Sequence, residues 1–180
     1  HTAYRRQRQM CIRDRAALMV VGVLSGKTEK TMNETLNQKQ QALVAVAACE
    51  AKDDQKTLER ILDDAFERGV LTVNEAKETL SQLYAYTGFP RSLNALASLQ
   101  KVVAERRKEN RSVEVGCDAS PLPDDYDALK QGAVVQTRMS GKPFDYAFAP
   151  AVDYYLKAHL FGDIFARDVL TYSEREIVTV

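Results

Sequence analysis

Apolar residues between positions 58 and 66 repeat with the spacing of one face of an α-helix: Leu58, Ile61, Leu62, Ala65 and Phe66. Steps of three and four residues place these side chains on a single stripe, which predicts an amphipathic helix. Gly69 follows the stripe and suits the left-handed residue that ends many helices. Thr72 and Glu75 then form a capping box, the pattern that opens a new helix. This part of the chain is therefore predicted to fold as two consecutive helices joined by a tight turn.

The same helical signals extend over most of the chain. Small apolar residues between Gln38 and Cys49 predict a closely packed helix. The helix opened by Thr72 is expected to bury Val73, Ala76, Leu80 and Leu83. Pro90 suits the first turn of the next helix, which carries Leu93, Leu96, Val102 and Val103. No segment has a credible strand pattern, so the predicted fold class is all-α.

Residues 112–148 differ from the rest because prolines, aspartates and glycines interrupt any helical pattern. We expect a long connection here, with one short helix around residues 127–131. A helical pattern resumes at Pro150, with Val152, Tyr155, Leu156 and Leu160 on one face. A second capping box, Thr171 with Glu174, opens the last helix. We interpret the likeness of the two capping boxes as shared helix-start chemistry.

Composition narrows the classes of partner. The 180 residues contain 25 basic and 25 acidic side chains, so neither a nucleic-acid nor a membrane partner is predicted. Cys11, Cys49 and Cys117 are widely spaced and form no C-x-x-C pair, so the sequence predicts neither a zinc site nor a dithiol redox centre. Because an odd number of isolated cysteines fits a reducing compartment better, we favour a cytoplasmic over a periplasmic location.

Residues 1–31 are unlike the rest of the chain. The stretch from Gln9 to Arg15 resembles translated adapter sequence, and we expect it to carry no function. As an alternative, the basic start followed by the apolar residues 16–24 has the order of a signal peptide. A native start near Met32 is the third possibility.

Three blocks carry a family resemblance: residues 71–75, residues 86–91, and residues 155–165 with Arg167, Asp168 and Arg175 to Ile177 beyond them. In this order they resemble the carboxymuconolactone decarboxylase family, which shares its helical bundle with the alkylhydroperoxidase D proteins. The resemblance covers Leu36 to Val180 and is to the two-copy form. It implies a first repeat at 32–111, a linker at 112–148, and an incomplete second repeat at 149–180.

The resemblance also implies roles for single residues. The peroxidase branch of the family places a glutamate, two cysteines and a histidine where the first repeat has Ala42, Asp54, Thr57 and Ile61, so this repeat is expected to be inactive. Glu176 matches the glutamate of the proton relay in the second repeat, and its cysteine or histidine partners would lie after Val180. His159 belongs to a family block, and its imidazole suits acid–base chemistry near neutral pH. Glu176 and His159 are the candidate catalytic residues.

Each candidate also has a purely structural interpretation. Glu176 could be a first-turn carboxylate stabilised by the helix dipole, and His159 a hydrogen-bonded residue at a helix end. Asp163 and Asp168 could pair with Arg167 or cap a turn, and we favour the cap. Tyr84 and Tyr86 are expected to pack between helices. The acidic group at residues 59–67 is read as a solvated surface and Cys49 as a buried thiol, so no metal site is predicted.

Three functions follow from these observations. The first is a cofactor-free lyase that uses acid–base chemistry on a small carboxylated lactone, as the resemblance implies. The second is an antioxidant thiol peroxidase, which would need a C-x-x-C motif beyond residue 180. The third is a non-catalytic scaffold. For the lyase, the partners implied are a small-molecule substrate and further copies of the chain, as a trimer or hexamer. We expect the chain alone to show little turnover, because the first repeat has none of the four family residues at the matching positions.

Overall fold

The computed structural model describes residues 36–180, and this range is helical without any strand. The elements in chain order are α1 (Gln38–Ala51), α2 (Gln55–Glu67), α3 (Val73–Thr87), α4 (Phe89–Lys108), α5 (Ala128–Ser140), α6 (Pro150–Tyr154), a π-helix (Tyr155–Ile164) that continues α6, and α7 (Tyr172–Thr179). The all-α prediction is thus confirmed for this range. The adapter-like or signal-like segment lies outside the described residues.

Local capping chemistry determines where the first helices begin and end. The side chain of Asn37 accepts a hydrogen bond from the Gln40 amide at 2.9 Å and opens α1. Gly69, with φ of +62°, lets the chain turn sharply after α2. The predicted capping box is present, because Thr72 N donates to the Glu75 carboxylate and Glu75 N donates to the Thr72 hydroxyl. These local bonds satisfy amide groups that no helix could satisfy internally.

The core lies between α1, α2, α3 and α4 and contains the stripe predicted from the sequence. Leu58, Leu62 and Ala65 are completely buried, and Ile61 packs at the edge of the core. The four residues predicted for α3 are also buried. Leu93 is an exception: its side chain is 59 % exposed because α4 turns its neighbour Ser92 inward, where the Ser92 hydroxyl donates to the Leu80 carbonyl oxygen.

The connection after α4 is more structured than predicted. Its first part runs beside the start of α3, where Val73 N and Asn74 N donate to the carbonyl oxygens of Glu114 and Val115. Gly116 has φ of +80° and lies so close to Thr72 that a Cβ would collide with that side chain. The short helix expected at 127–131 is in fact α5, which reaches Ser140. Its full length was missed because no apolar stripe marks it: the buried residues of α5 are Gly132 and Gln136, whereas Leu129 and Val134 are exposed.

Helix α5 packs against the π-helix to form a two-helix arm, residues 128–164. Gly132 and Gly162 allow this contact, because a Cβ at Gly132 would overlap the Lys157 carbonyl oxygen and one at Gly162 would overlap that of Ala128. The Tyr126 hydroxyl donates to the Gly162 carbonyl oxygen at 2.6 Å. In the π-helix the side-chain period is longer than 3.6 residues. The predicted α-helical face therefore does not persist, and Tyr155 is 62 % exposed.

The last helix, α7, returns to the core formed by α1–α4. Its capping box is present, since Thr171 N donates to the Glu174 carboxylate at 2.8 Å. Leu170 and Val178 are 2 % and 3 % exposed and belong to the same apolar cluster as Leu43 and Leu80. The residues assigned by resemblance to a second repeat therefore divide between the arm and the core, and residues 36–180 form one compact unit.

We predict that Gly132→Ala and Gly162→Ala each lower the free energy of unfolding by about 1–3 kcal/mol, because one methyl group must separate two backbones in contact. Urea titration monitored by circular dichroism measures the change. Gln131→Ala, at the exposed neighbouring position on α5, is the matched control and should be near neutral. Equal stability of the glycine variants and the control would contradict the close contact.

Candidate functional site

His159 lies in the middle of the π-helix and forms a pair with Asp163. Its Nδ1 is 2.8 Å from Asp163 Oδ2, and the two side chains are 46 % and 54 % exposed. The interpretation of His159 as a helix-end residue is therefore wrong, although its hydrogen bond is present. A carboxylate on Nδ1 holds the imidazole ring in one orientation and leaves Nε2 available to another group. Asp163 thus pairs with the histidine and not with Arg167.

An aromatic surface adjoins the imidazole. Tyr84, near the end of α3, stacks on Phe89 with ring centroids 4.3 Å apart and planes inclined by 13°. The other neighbour of Tyr84 is His159, at a centroid distance of 5.6 Å. Gly88, with φ of +88°, makes the turn that brings Phe89 back onto Tyr84. Because Phe89 remains 61 % exposed, this surface is open to a flat molecule beside the histidine. We call these three rings and Asp163 the imidazole site.

Glu176 lies on a different part of the surface. It is half-buried in the second turn of α7, so the first-turn interpretation is wrong; the first-turn acid is Glu174. Burial and the nearby Glu176 carboxylate raise the pKa of Tyr86, against a hydrogen bond with Thr179. Tyr86 is 48 % exposed, so the expectation that it packs between helices also fails. Within residues 36–180, no hydrogen bond or ion pair joins Glu176 to His159.

The sequence did not indicate the most buried ionic group, which centres on Arg175 of α7. This side chain is completely buried and donates to Gln82 Oε1 at 2.8 Å and to Glu78 Oε2 at 3.1 Å, both on α3. Gln82 in turn donates to the Arg175 carbonyl oxygen at 2.8 Å. Burial lowers the pKa of Arg175, and the Glu78 carboxylate opposes that shift. The bonds fasten α7 to α3 through groups that water does not reach.

Arg167, which follows the π-helix, completes this group. Its Nη2 lies 2.7 Å from Glu78 Oε1, and its carbonyl oxygen accepts a hydrogen bond from Arg175 at 2.6 Å. Asp168 accepts from the Ser120 amide and hydroxyl at 2.8 Å and 2.6 Å. The guanidinium of Arg167 is bonded by Glu78, which lies 89 residues earlier in the chain, on α3. The sequence did contain one signal for this group: Glu78 and Gln82 are polar residues one turn apart on α3, so their side chains lie on the same face.

A polar cleft of about 170 Å³ opens beside this group, between the start of α3 and the connection. Asn74 Nδ2 donates to Asp118 Oδ1 across it at 3.0 Å. Lys77 and Arg167 supply positive charge to its wall, and Glu78 and Asp118 supply negative charge. The charges balance, and Glu78 is already bonded to two guanidinium groups. The cleft therefore offers a ligand no excess of charge of either sign.

The acidic residues of α2 are paired more fully than the sequence suggested. Arg106 is 1 % exposed and its guanidinium bonds Asp63 and Glu67, each at 2.8 Å. Arg111 and Arg106 hold the pKa of Asp63 below its usual value, against the effect of burial. Within residues 36–180, no group of three or more His, Cys, Asp or Glu side chains could hold a metal ion.

One lysine joins the two capping boxes whose likeness the sequence shows. Lys39 Nζ, in the first turn of α1, lies 2.7 Å from Glu75 and 2.6 Å from Glu174. Burial disfavours ionisation of Glu174, yet Lys39 and the Thr171 amide lower its pKa overall. The starts of α1, α3 and α7 therefore meet at one ammonium group, a contact that helix-start chemistry alone does not require.

No protein-family model matches this chain, and no curated protein matches it either. Among the described residues, no helix has the length and apolar character needed to cross a membrane.

We predict that Glu78→Gln destabilises the fold by about 3–5 kcal/mol, since it leaves the buried Arg175 charge without its carboxylate. Glu67→Gln is the matched control, because Glu67 also bonds a buried arginine but is 65 % exposed itself. Its effect should stay near or below about 1 kcal/mol. Guanidinium chloride unfolding measures the stability of both variants. A loss of stability in Glu78→Gln as small as that in Glu67→Gln would show that the buried Arg175 does not depend on Glu78.

Proposed function

We propose that the chain carries an acid–base site of the carboxymuconolactone decarboxylase type, a cofactor-free lyase acting on a small carboxylated lactone. The observation that carries the proposal is the pair formed by His159 Nδ1 and Asp163 Oδ2 at 2.8 Å, beside the aromatic surface of Tyr84 and Phe89. An oriented imidazole and an open ring face are what proton transfer to a small cyclic substrate requires. The family resemblance of residues 155–165 agrees with this assignment.

In the proposed reaction, the bond between the lactone ring and its carboxylate breaks, carbon dioxide leaves, and the electron pair of that bond stays on the lactone as an enolate. The imidazolium form of His159 then donates its Nε2 proton to a carbon of the enolate and is left as neutral imidazole. Asp163 acts through His159, because it stabilises the imidazolium and keeps its ring in place. The exposed face of Phe89 would hold the lactone ring by stacking. No metal or organic cofactor takes part in this scheme.

Glu176 enters the proposal only through the resemblance, which gives it the role of proton relay. In the fold it lies near Tyr86 and not at the imidazole site. Its relay role remains a prediction. A substrate bound by Glu176 would lie beside Tyr86, whereas one bound at the imidazole site would lie beside Tyr84.

We predict that a carboxylated lactone shifts the His159 Cε1–H NMR signal of the purified chain, and that Asp163→Asn weakens this response. Any release of carbon dioxide above background should fall by about 100-fold or more in His159→Gln, because acid–base catalysis contributes that order of rate. Asp145→Asn, 86 % exposed on the same arm, is the control. Turnover that survives His159→Gln, or no response of the His159 signal, would contradict the proposal.

The thiol peroxidase alternative would need a C-x-x-C motif beyond residue 180, and it does not rest on a cysteine of residues 36–180. The free thiol described there belongs to Cys49, which is buried as predicted. Burial and the nearby Asp54 carboxylate raise its pKa, which disfavours the reactive thiolate.

The arm supports a second proposal, that the protein assembles as a homo-oligomer. Its aromatic side chains are exposed to an unusual degree, with Phe148 90 %, Tyr155 62 % and Tyr154 52 % accessible. Phe144, Tyr146 and Phe148 form a row with ring centroids 5.9 and 6.1 Å apart. Exposed aromatic side chains grouped in this way are typical of an interaction site. We propose that this surface contacts a second copy of the chain, and that the resulting assembly is a trimer or hexamer.

We predict that light scattering gives a mass above that of one 20.2 kDa chain. The double variant Phe148→Ser with Tyr155→Ser should shift the distribution toward the monomer, since it removes apolar contact area from the arm. Phe89→Ser, an exposed aromatic outside the arm, serves as the control. A monodisperse monomer of the unaltered chain would contradict the assembly.

A further inference from the structure

We propose that Glu50 is a neutral carboxylic acid in the folded protein, and that its ionisation loosens the contact between the ends of α1 and α3. Glu50 is the penultimate residue of α1 and is 0 % exposed. Its Oε2 is buried and has no hydrogen-bond partner. A carboxylate in such a position would keep a charged oxygen without water or a donor, which is costly.

The hydroxyl group of Thr87 lies within hydrogen-bond distance of two acceptor oxygens, one of them on Glu50. Thr87 Oγ1 lies 2.7 Å from Glu50 Oε1 and 2.9 Å from the Leu83 carbonyl oxygen. A threonine hydroxyl has one hydrogen but accepts through two lone pairs. If it donates to Leu83, in the common back-bond of a helix, the short contact with Glu50 requires a proton from the carboxyl group. The protonated Glu50 then donates to Thr87, and both acceptors are satisfied.

The charged groups around Glu50 do not replace that proton. Helix α3 contributes the Thr87 hydroxyl and no charge. Arg91 on α4 favours the carboxylate from an exposed position, whereas Asp53, just past the end of α1, disfavours it. Burial is the largest influence, and it raises the pKa of Glu50 above its ordinary value in spite of Thr87 and Arg91. Geometry and surroundings therefore both favour the neutral acid.

The consequence for stability has a definite sign. The folded chain keeps the Glu50 proton at pH values where the unfolded chain has lost it, so folding takes up a proton. Stability is then highest in mild acid and falls as pH rises from the unfolded pKa toward the raised folded value. Across that window, one proton changes the folding equilibrium constant by up to tenfold per pH unit. Glu174 and Asp63, whose pKa values are lowered, act in the opposite sense and at more acidic pH.

The test compares the unaltered chain with Glu50→Gln, which keeps the shape of the neutral acid and cannot ionise. Urea unfolding from pH 5 to pH 9 should show the folding constant of the unaltered chain falling relative to that of the variant, by up to tenfold per pH unit in the titration window. Glu105→Gln is the matched control, because Glu105 is exposed on α4. Its pH dependence should parallel that of the unaltered chain.

A second measurement locates the effect. The side-chain carboxyl ¹³C signal absent from Glu50→Gln should titrate above the range of the other glutamates. Amide exchange at the end of α1 should rise with pH in the unaltered chain more than in the variant. An ordinary titration of that signal, parallel pH profiles of the two chains, or a Glu50→Gln chain that does not fold would each overturn the proposal.

Discussion

The buried guanidinium of Arg175 is the contact on which the arrangement of residues 36–180 most depends. Glu78 and Gln82 hold it on α3, and the carbonyl oxygen of Arg167 holds it beside the end of the arm. Glu78 also binds the Arg167 side chain. Two arginines eight residues apart therefore meet one carboxylate that lies about 90 residues earlier in the chain. Because both charges lie out of water, each depends on the other to offset its desolvation.

This contact positions the imidazole site indirectly. Arg167 follows the π-helix directly, so its bond to Glu78 anchors the arm at the same helix, α3, that carries Tyr84. His159 reaches Tyr84 two turns earlier in the arm. The arm itself is held together by backbone contact at Gly132 and Gly162. An arm anchored near one end holds the imidazole beside the aromatic surface, as the proposed proton transfer would need.

Two of the buried glutamates, Glu78 and Glu50, differ in how their carboxyl groups are bonded. Two guanidinium groups, those of Arg167 and Arg175, bind the two oxygens of Glu78. Glu50 has one hydroxyl and one oxygen without a partner, so the neutral form is the cheaper one to bury. The number of donors within reach, and not burial alone, decides which form a buried carboxyl group adopts.

Local chemistry in the sequence determined much of the helical framework. The stripe from Leu58 to Phe66, the turn at Gly69 and both capping boxes depend on neighbours within a few residues, and all are present as predicted. The family assignment and the roles of His159 and Glu176 rest on resemblance and remain proposals. The length of α5 was missed because it buries a glycine and a glutamine, Gly132 and Gln136, and not a stripe of apolar residues.

Only the tertiary structure decided which side chains meet. It paired Arg167 with Glu78, placed Tyr84 beside His159, brought Glu75 and Glu174 to the single ammonium of Lys39, and separated Glu176 from His159. It also buried Glu50 against Thr87. Helix periodicity states which face of a helix is apolar, but it carries no record of the distance between two helices. Polar contacts across long sequence separations depend on that distance, and packing of the whole core sets it.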